Sequence, residues 1–295
     1  MAPSYDTQSL FDVKDLVAVI SGGGSGIGEV IAHTLAGNGA KAVFILGRRE
    51  EALIKARDSS PNPQTVHPIV CDVTSKDSLA AAADTVCKKT GYCDVVFANS
   101  GTATALCTEG VSQIGKASIK AVQEKLWEPN IDEYEKTFRV NVAGAYYTVV
   151  AFLDLLDEGN KRAVVPQKSQ AILTGSIAGL TRVPSAGFAY GPSKAAVLHM
   201  AKQLATALSP VKIRVNTIVP GIYPSELAGA SILKDFSDPR KEGGMPKDLV
   251  PLERSGREEE LAGIALFLSS KSGGYLNGNM LVTDGGRTGI QPATY

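Results

Sequence analysis

Residues 19–40 read VISGGGSGIGEVIAHTLAGNGA. The apolar run at 16–20 leads into glycines at 22, 23, 24, 26 and 28, and an amphipathic pattern follows. A buried strand, a tight turn and a helix in that order begin a βαβ unit. Glycines let the backbone turn sharply and come close to a bound group. The first turn of the helix offers free N–H groups and a partial positive charge, which suits a pyrophosphate. The spacing is Gly22-x-x-x-Gly26-x-Gly28, and no register gives G-x-G-x-x-G. In this setting Gly22, Gly24, Ser25, Gly26, Ile27 and Gly28 are candidate dinucleotide contacts.

Further along, apolar runs at 16–20, 42–46, 67–70, 94–98, 171–175, 213–219 and 279–283 read as strands. Several are apolar at consecutive positions, as a parallel strand covered on both faces requires. Helical patterns fall near 27–37, 75–89, 132–157, 189–208 and 258–269. The alternation predicts an α/β fold: a single-domain, Rossmann-like, doubly wound and mostly seven-stranded parallel sheet with helices on both faces. No composition break, fixed repeat or low-complexity tract divides residues 1–295, and 1–12 reads as an N-terminal extension. Two stretches interrupt the alternation, 102–126 and 222–257. Both leave carboxyl ends of strands, where ligands sit in such sheets. Long connections are commonly lids, so both are candidate walls of a substrate pocket. Surface helices are an equal alternative for 102–126.

Composition narrows the class. With 295 residues, 44% hydrophobic and 20% charged, the chain can bury a large core. Thirty basic residues balance thirty acidic ones, so no net field favours nucleic acid. The opening MAPSYDTQSLFDV lacks the charged-then-apolar pattern of a signal peptide, and the apolar runs are too short to span a membrane. Cys71, Cys87, Cys93 and Cys107 show no C-x-x-C spacing and read as free, buried or half-buried thiols of a cytoplasmic protein. His33, His67 and His199 lack metal-ligand spacing, so no metal is expected. Trp127 reads as a packing or pocket-wall residue.

The second strand ends in FILGRREE, 44–51. An acid here would bond a ribose 2′-hydroxyl; Arg48 and Arg49 stand there instead. Arginine forms charge-assisted bonds to a phosphate, so NADP(H) is expected over NAD(H). Two solvated arginines at a strand end are the plainer alternative.

The ordered set SGGGSGIG (21–28), CDVT (71–74), ANSG (98–101), RVNVAG with Asn141, TGSIAG with Ser176, YGPSK with Tyr190 and Lys194, PG (220–221) and TDGG (283–286) resembles the short-chain dehydrogenases/reductases in their single-domain form. The similarity runs from about residue 13 to 287 and is, more loosely, ketoacyl-reductase-like. The resemblance implies that Asp72, with the backbone at Val73, holds an adenine, and that Asn99, Ser100 and Gly101 line the cofactor. It also implies that Pro220 and Gly221 begin the nicotinamide wall. The Tyr223 backbone and the Ser225 hydroxyl would hold the carboxamide and phosphate side. Ser21 and Ser100 depart from the usual threonine and alanine.

Tyr190 and Lys194 stand at i and i+4, one helical face. A nearby ammonium favours the phenolate and is expected to bring the tyrosine pKa down from about 10. Ser176 can donate to a substrate carbonyl. The resemblance further implies that Lys194 bonds the cofactor ribose and that Asn141 orders a water near Lys194. Together these imply an NADPH-dependent reductase of a medium-sized hydrophobic carbonyl compound, such as a polyketide or acyl intermediate of secondary metabolism. The alternative is a protein of this fold that binds NADP(H) as a sensor, or cyclises or isomerises its ligand without net reduction. The stretch 195–208, AAVLHMAKQLATAL, is apolar on more than one face. It points to a homodimer or homotetramer, or to burial within one chain.

Overall fold

A computed structural model describes residues 5–104, 108–229 and 232–294. Cys107, and the parts of 1–12, 102–126 and 222–257 that fall outside those ranges, are not described. Seven strands form one parallel sheet: β1 (Val17–Ser21), β2 (Ala42–Gly47), β3 (Val66–Val70), β4 (Val95–Ala98), β5 (Gln170–Thr174), β6 (Arg214–Pro220) and β7 (Met280–Thr283). Their spatial order is β3-β2-β1-β4-β5-β6-β7. The chain therefore reverses its direction of travel between β3 and β4, and opens a crevice beyond the carboxyl ends of β1 and β4.

The helices are α1 (Thr7–Leu10), α2 (Gly26–Gly37), α3 (Glu50–Asp58), α4 (Lys76–Thr90), α5 (Thr108–Gln113), α6 (Ile119–Trp127), α7 (Ile131–Phe138), α8 (Ala145–Ala151), α9 (Leu153–Arg162), α10 (Gly187–Leu208), α11 (Glu226–Gly229) and α12 (Glu258–Ser269). The sheet is doubly wound because β1 alternates its two burials. Ala18 and Ile20 join Ile31, Leu35, Leu261 and Leu268 on one face. Val17 and Val19 join Leu79, Val86, Phe152 and Leu156 on the other. With both faces covered, successive positions of a strand can both be apolar, hence the consecutive apolar runs.

The two edges differ. On β3, the outer strand beside β2, Pro68 has no N–H to offer a further strand. On β7, the outer strand beside β6, Val282 is 41% exposed.

The structure departs from the sequence pattern in three places. Helix α3 had no visible apolar stripe, because only Leu53 and Ala56 of EEALIKARD are buried. The helix expected over 132–157 is three pieces: a π turn at Arg139–Gly144 joins α7 to α8, and a bend of 43° follows before α9. The stretch 102–126 carries surface helices, α5 and α6, one of the two readings kept open for it. Trp127 is 83% exposed, not packed: Leu126, one step earlier, lies against Gly110, so the next side chain turns outward. Cys71 and Cys93 are buried free thiols, whereas Cys87 is exposed. No single helix among the described residues is long and apolar enough to cross a membrane.

Candidate active site

The glycine turn is built to lie close. Gly22 and Gly26 have φ of +68° and +53°, a region costly for a side chain. A Cβ on Gly28 would fall well inside contact of the Gly22 carbonyl oxygen, and 2.7 Å from Asn99 Nδ2. The turn therefore presents bare backbone at the start of α2, the cradle a pyrophosphate needs. Ser21 ties it to β4: its Oγ accepts the N–H groups of Asn99 (3.0 Å) and Ser100 (3.1 Å) and donates to the Phe97 carbonyl. Asn99 Nδ2 donates to the Gly22 carbonyl (3.3 Å), and Asn99 Oδ1 accepts from Thr174 Oγ1 (3.0 Å). Thr174 in turn receives, on its carbonyl, the Lys194 ammonium at 2.8 Å. One polar chain thus runs from the glycine turn to the lysine.

Helix α10 begins at Gly187, so Pro192 sits in its second turn. Proline lacks the N–H that would reach the Phe188 carbonyl. That carbonyl instead accepts the Tyr134 hydroxyl at 3.2 Å. The helix carries Tyr190 toward Ser176, which follows β5, and the Ser176 hydroxyl is near enough to lower the phenol pKa. Ser176 Oγ also accepts the Ala178 N–H at 3.2 Å and caps the short turn Ile177–Gly179.

The charges correct one expectation. Burial raises the Tyr190 pKa, and the Ser176 hydroxyl only partly offsets it. Lys194 stands over its ring. Its Nζ lies 5.8 Å from the Tyr190 ring centre and is turned to the Thr174 carbonyl. Burial lowers the lysine itself to about 8, because no carboxylate balances its charge there.

Asn141 lies in the π turn, a rare helix form that is frequent at functional sites. It is 1% exposed. Its Oδ1 accepts the Thr102 N–H (2.8 Å), and its Nδ2 donates to the Thr102 carbonyl (2.9 Å) and Ser193 Oγ (3.0 Å). Both ends of its amide are thereby engaged with protein. A Cβ on Gly101 would sit 3.5 Å from both Asn141 Oδ1 and Lys194 Nζ, so these three residues meet at one point.

At the other end of the cleft, burial pushes the Asp72 carboxyl up, but two hydrogen bonds from Thr74 and the Arg48 charge outweigh it and the pKa is lowered. Val73 is buried beside it and packs on Gly144. Arg49 Nη2 donates to both carboxylate oxygens of Glu226, at 3.0 and 2.8 Å. Pro220 ends β6; the Gly221 N–H donates to the Thr283 carbonyl, and a Cβ there would meet Asp284 Cα at 2.7 Å. The Tyr223 side chain is buried, its hydroxyl 2.6 Å from Thr283 Oγ1, which leaves its backbone for any ligand. Ser225 accepts the Ala228 N–H and lies 3.1 Å from where a Cβ on Gly26 would be.

Three features were missed from sequence. Thr174 meets Lys194, and Thr102 meets Asn141, through backbone groups, which leave no side-chain signature. Glu226 meets Arg49 across 177 residues. The segment 292–294 pairs with 180–182, where the Arg182 N–H donates to Pro292 O (2.8 Å) and the Thr294 N–H to Leu180 O (2.7 Å). Just before it, the buried Arg287 donates to the Leu249 carbonyl at 2.9 Å. Residues 284–294 thus join the loop between Ser176 and Tyr190 to the 222–257 segment. No pattern in GIQPATY announces this.

Comparison with known proteins agrees with this geometry. The family model described as Enoyl-(Acyl carrier protein) reductase matches residues 22–288. Short-chain dehydrogenase/reductase PhomF of Diaporthe leptostromiformis is 42% identical over 295 residues, covering 100% of this chain and 99% of that protein. Short-chain dehydrogenase/reductase VdtF of Byssochlamys spectabilis is 37% identical, covering 97% of each. Among solved structures, the Pseudomonas aeruginosa RhlG/NADP active-site complex superposes with a TM-score of 0.76 at 27% identity, covering 95% of this chain and 99% of that one.

Proposed function

The chain belongs to the short-chain dehydrogenase/reductase family, and on that premise we propose that it is an NADPH-dependent reductase of the carbonyl group of a medium-sized hydrophobic metabolite, within secondary metabolism. Chemistry at CH–OH and C=O groups comes with the family. The observation that carries the finer reading is the convergence of Ser176 and Lys194 on Tyr190, with the Lys194 ammonium 5.8 Å from the Tyr190 ring centre.

The residues fit a nicotinamide dinucleotide. Gly22, Gly24, Ser25, Gly26, Ile27 and Gly28 would cradle the pyrophosphate. Asp72 and Val73 would hold the adenine, and Arg48 and Arg49 a 2′-phosphate. Asn99, Ser100, Gly101 and Lys194 would line the ribose, with Pro220, Gly221, Tyr223 and Ser225 along the nicotinamide side. When bound, the cofactor supplies a hydride. Ser176 donates a hydrogen bond to the substrate oxygen and orients it. Tyr190 gives its proton to that oxygen as negative charge develops there. Tyr190 carries its phenol proton near neutral pH, as an ordinary tyrosine with a pKa of about 10 does. Lys194, its pKa lowered by burial to about 8, supplies positive charge beside it and would bond the ribose hydroxyls. Asn141 holds Thr102 and with it Gly101, fixing the wall beside the lysine.

The choice of NADP(H) is supported by Arg48 and Arg49, and by the likeness to a structure solved with NADP. A hydrophobic substrate is supported by exposed apolar side chains on the elements around the site, Phe188 at 45% on α10 and Leu227 at 41% on α11. We read the chain as one reductase domain. Tyr134, Tyr146, Tyr147 and Val150 on α7 and α8 are each 37–41% exposed, which supports a homodimer or homotetramer. The buried free thiols Cys71 and Cys93 suit the cytoplasm.

Deuterated NADPH with ethyl acetoacetate and a bicyclic ketone such as 1-tetralone tests the reaction. The wild-type product should carry deuterium at the former carbonyl carbon. Tyr190→Phe should lose about 10²–10⁴-fold in rate while binding cofactor normally. Product without deuterium would overturn the redox reading, and undiminished turnover by Tyr190→Phe would overturn the role of the tyrosine.

A further inference from the structure

We infer that Glu226 is a cofactor-selectivity residue that competes with the 2′-phosphate for Arg49; this rests on the NADP(H) reading above. Arg49 stands at the N-terminal cap of α3, just past the carboxyl end of β2. Glu226 opens α11 in the segment expected to wall the substrate pocket. Arg49 Nη2 donates to both Glu226 oxygens, so the guanidinium already serves an oxyanion at this spot. Ser225, the preceding residue, lies against Gly26 of the glycine turn. The root of the segment is therefore laid across the cofactor cradle at two points, the pyrophosphate turn and the ribose arginine.

The two arginines are not equivalent. The charge of Arg48 acts on Asp72, the residue expected at the adenine. Arg49 alone is engaged by a carboxylate from the far side of the cleft. A 2′-phosphate carries about −1.5 to −2 charges and three acceptor oxygens, and so outbids one carboxylate for the same guanidinium. Glu226 must then give up Arg49 and stand near a like charge. NADH has a neutral hydroxyl at that position and makes no such demand. Glu226 thereby weakens NADPH binding and spares NADH. Release of Glu226 by the phosphate also loosens the root of the 222–257 segment, which links the adenosine end to the substrate wall.

The pair is 62% and 64% exposed, so its worth is modest. Isothermal titration of NADPH and NADH into the wild type, Glu226→Gln, Arg49→Ala and the double variant tests the inference without any turnover. Glu226→Gln should tighten NADPH about two- to fivefold and leave NADH unchanged. The gain should shrink in 0.5 M salt, where exposed charges are screened. In the Arg49→Ala background the substitution should have no effect, because the competition runs through that arginine. An unchanged or weakened NADPH affinity in Glu226→Gln overturns the inference. So does an equal shift for both cofactors, or a gain that survives without Arg49. Equal wild-type affinity for NADPH and NADH would instead sink the NADP(H) reading, and the inference with it.

Discussion

Asp94 offers a sharp test of how the buried charges are arranged. It sits at the foot of β4, 4% exposed, and its Oδ2 accepts the Val17 N–H at 2.8 Å. Burial raises its pKa to about 6; the Val17 hydrogen bond and the Lys41 charge restrain the rise. In the unfolded chain the carboxyl titrates near its ordinary value, about 3.9. The folded protein therefore holds the proton more tightly than the unfolded one. Its contribution favours folding most below the unfolded pKa, is lost as pH rises toward the folded pKa, and is flat above that. A shift of about 2 units corresponds to about 3 kcal/mol, of which about 2 kcal/mol is lost between roughly pH 4.5 and 7.5. Asp94→Asn keeps an acceptor for Val17 and removes the charge. Urea unfolding of both proteins across that range isolates the term, since the other carboxylates cancel in the difference. The variant should gain on the wild type by about 2 kcal/mol from the acid to the neutral end. Parallel stability profiles, or a variant that loses ground as pH rises, would refute the assignment of a proton to Asp94 in the fold.

Two further substitutions probe the site. Gly28→Ala drives a Cβ into the Gly22 carbonyl and Asn99 Nδ2; about 1–3 kcal/mol of strain in the turn should weaken NADPH binding about tenfold or more, as titration calorimetry would read. Asn141→Ala leaves both Thr102 backbone groups without their partner, while the Ser193 hydroxyl keeps its bond to the Tyr190 carbonyl. Stability should fall by about 2–5 kcal/mol in urea, and kcat should fall with it; Asn141→Asp should not rescue either, because it buries a charge and loses two donors.

The alternation of strands and helices was legible because both faces of the sheet are covered, so apolar residues crowd the strands without alternation. The glycine turn and the Tyr190–Lys194 pair were legible because each requires residue types that few other roles demand. The ionisation of Tyr190 was not. Spacing puts Lys194 on its face, but only the fold reveals that the ammonium is turned to Thr174. Helix α3 was hidden because it buries two side chains and leaves the rest to solvent. The π turn was hidden because Asn141 is placed by hydrogen bonds to Thr102, a residue 39 positions away. The pairing of 180–182 with 292–294 is made by backbone groups, which any sequence carries.

The two edges of the sheet make aggregation a one-sided hazard. Pro68 blunts β3, so a foreign strand finds a gap in the donor row there. On β7 no proline interrupts Met280–Thr283, and Val282 faces outward. A foreign strand therefore meets a more complete row of backbone donors at β7 than at β3, so sheet addition favours the edge far from the glycine turn.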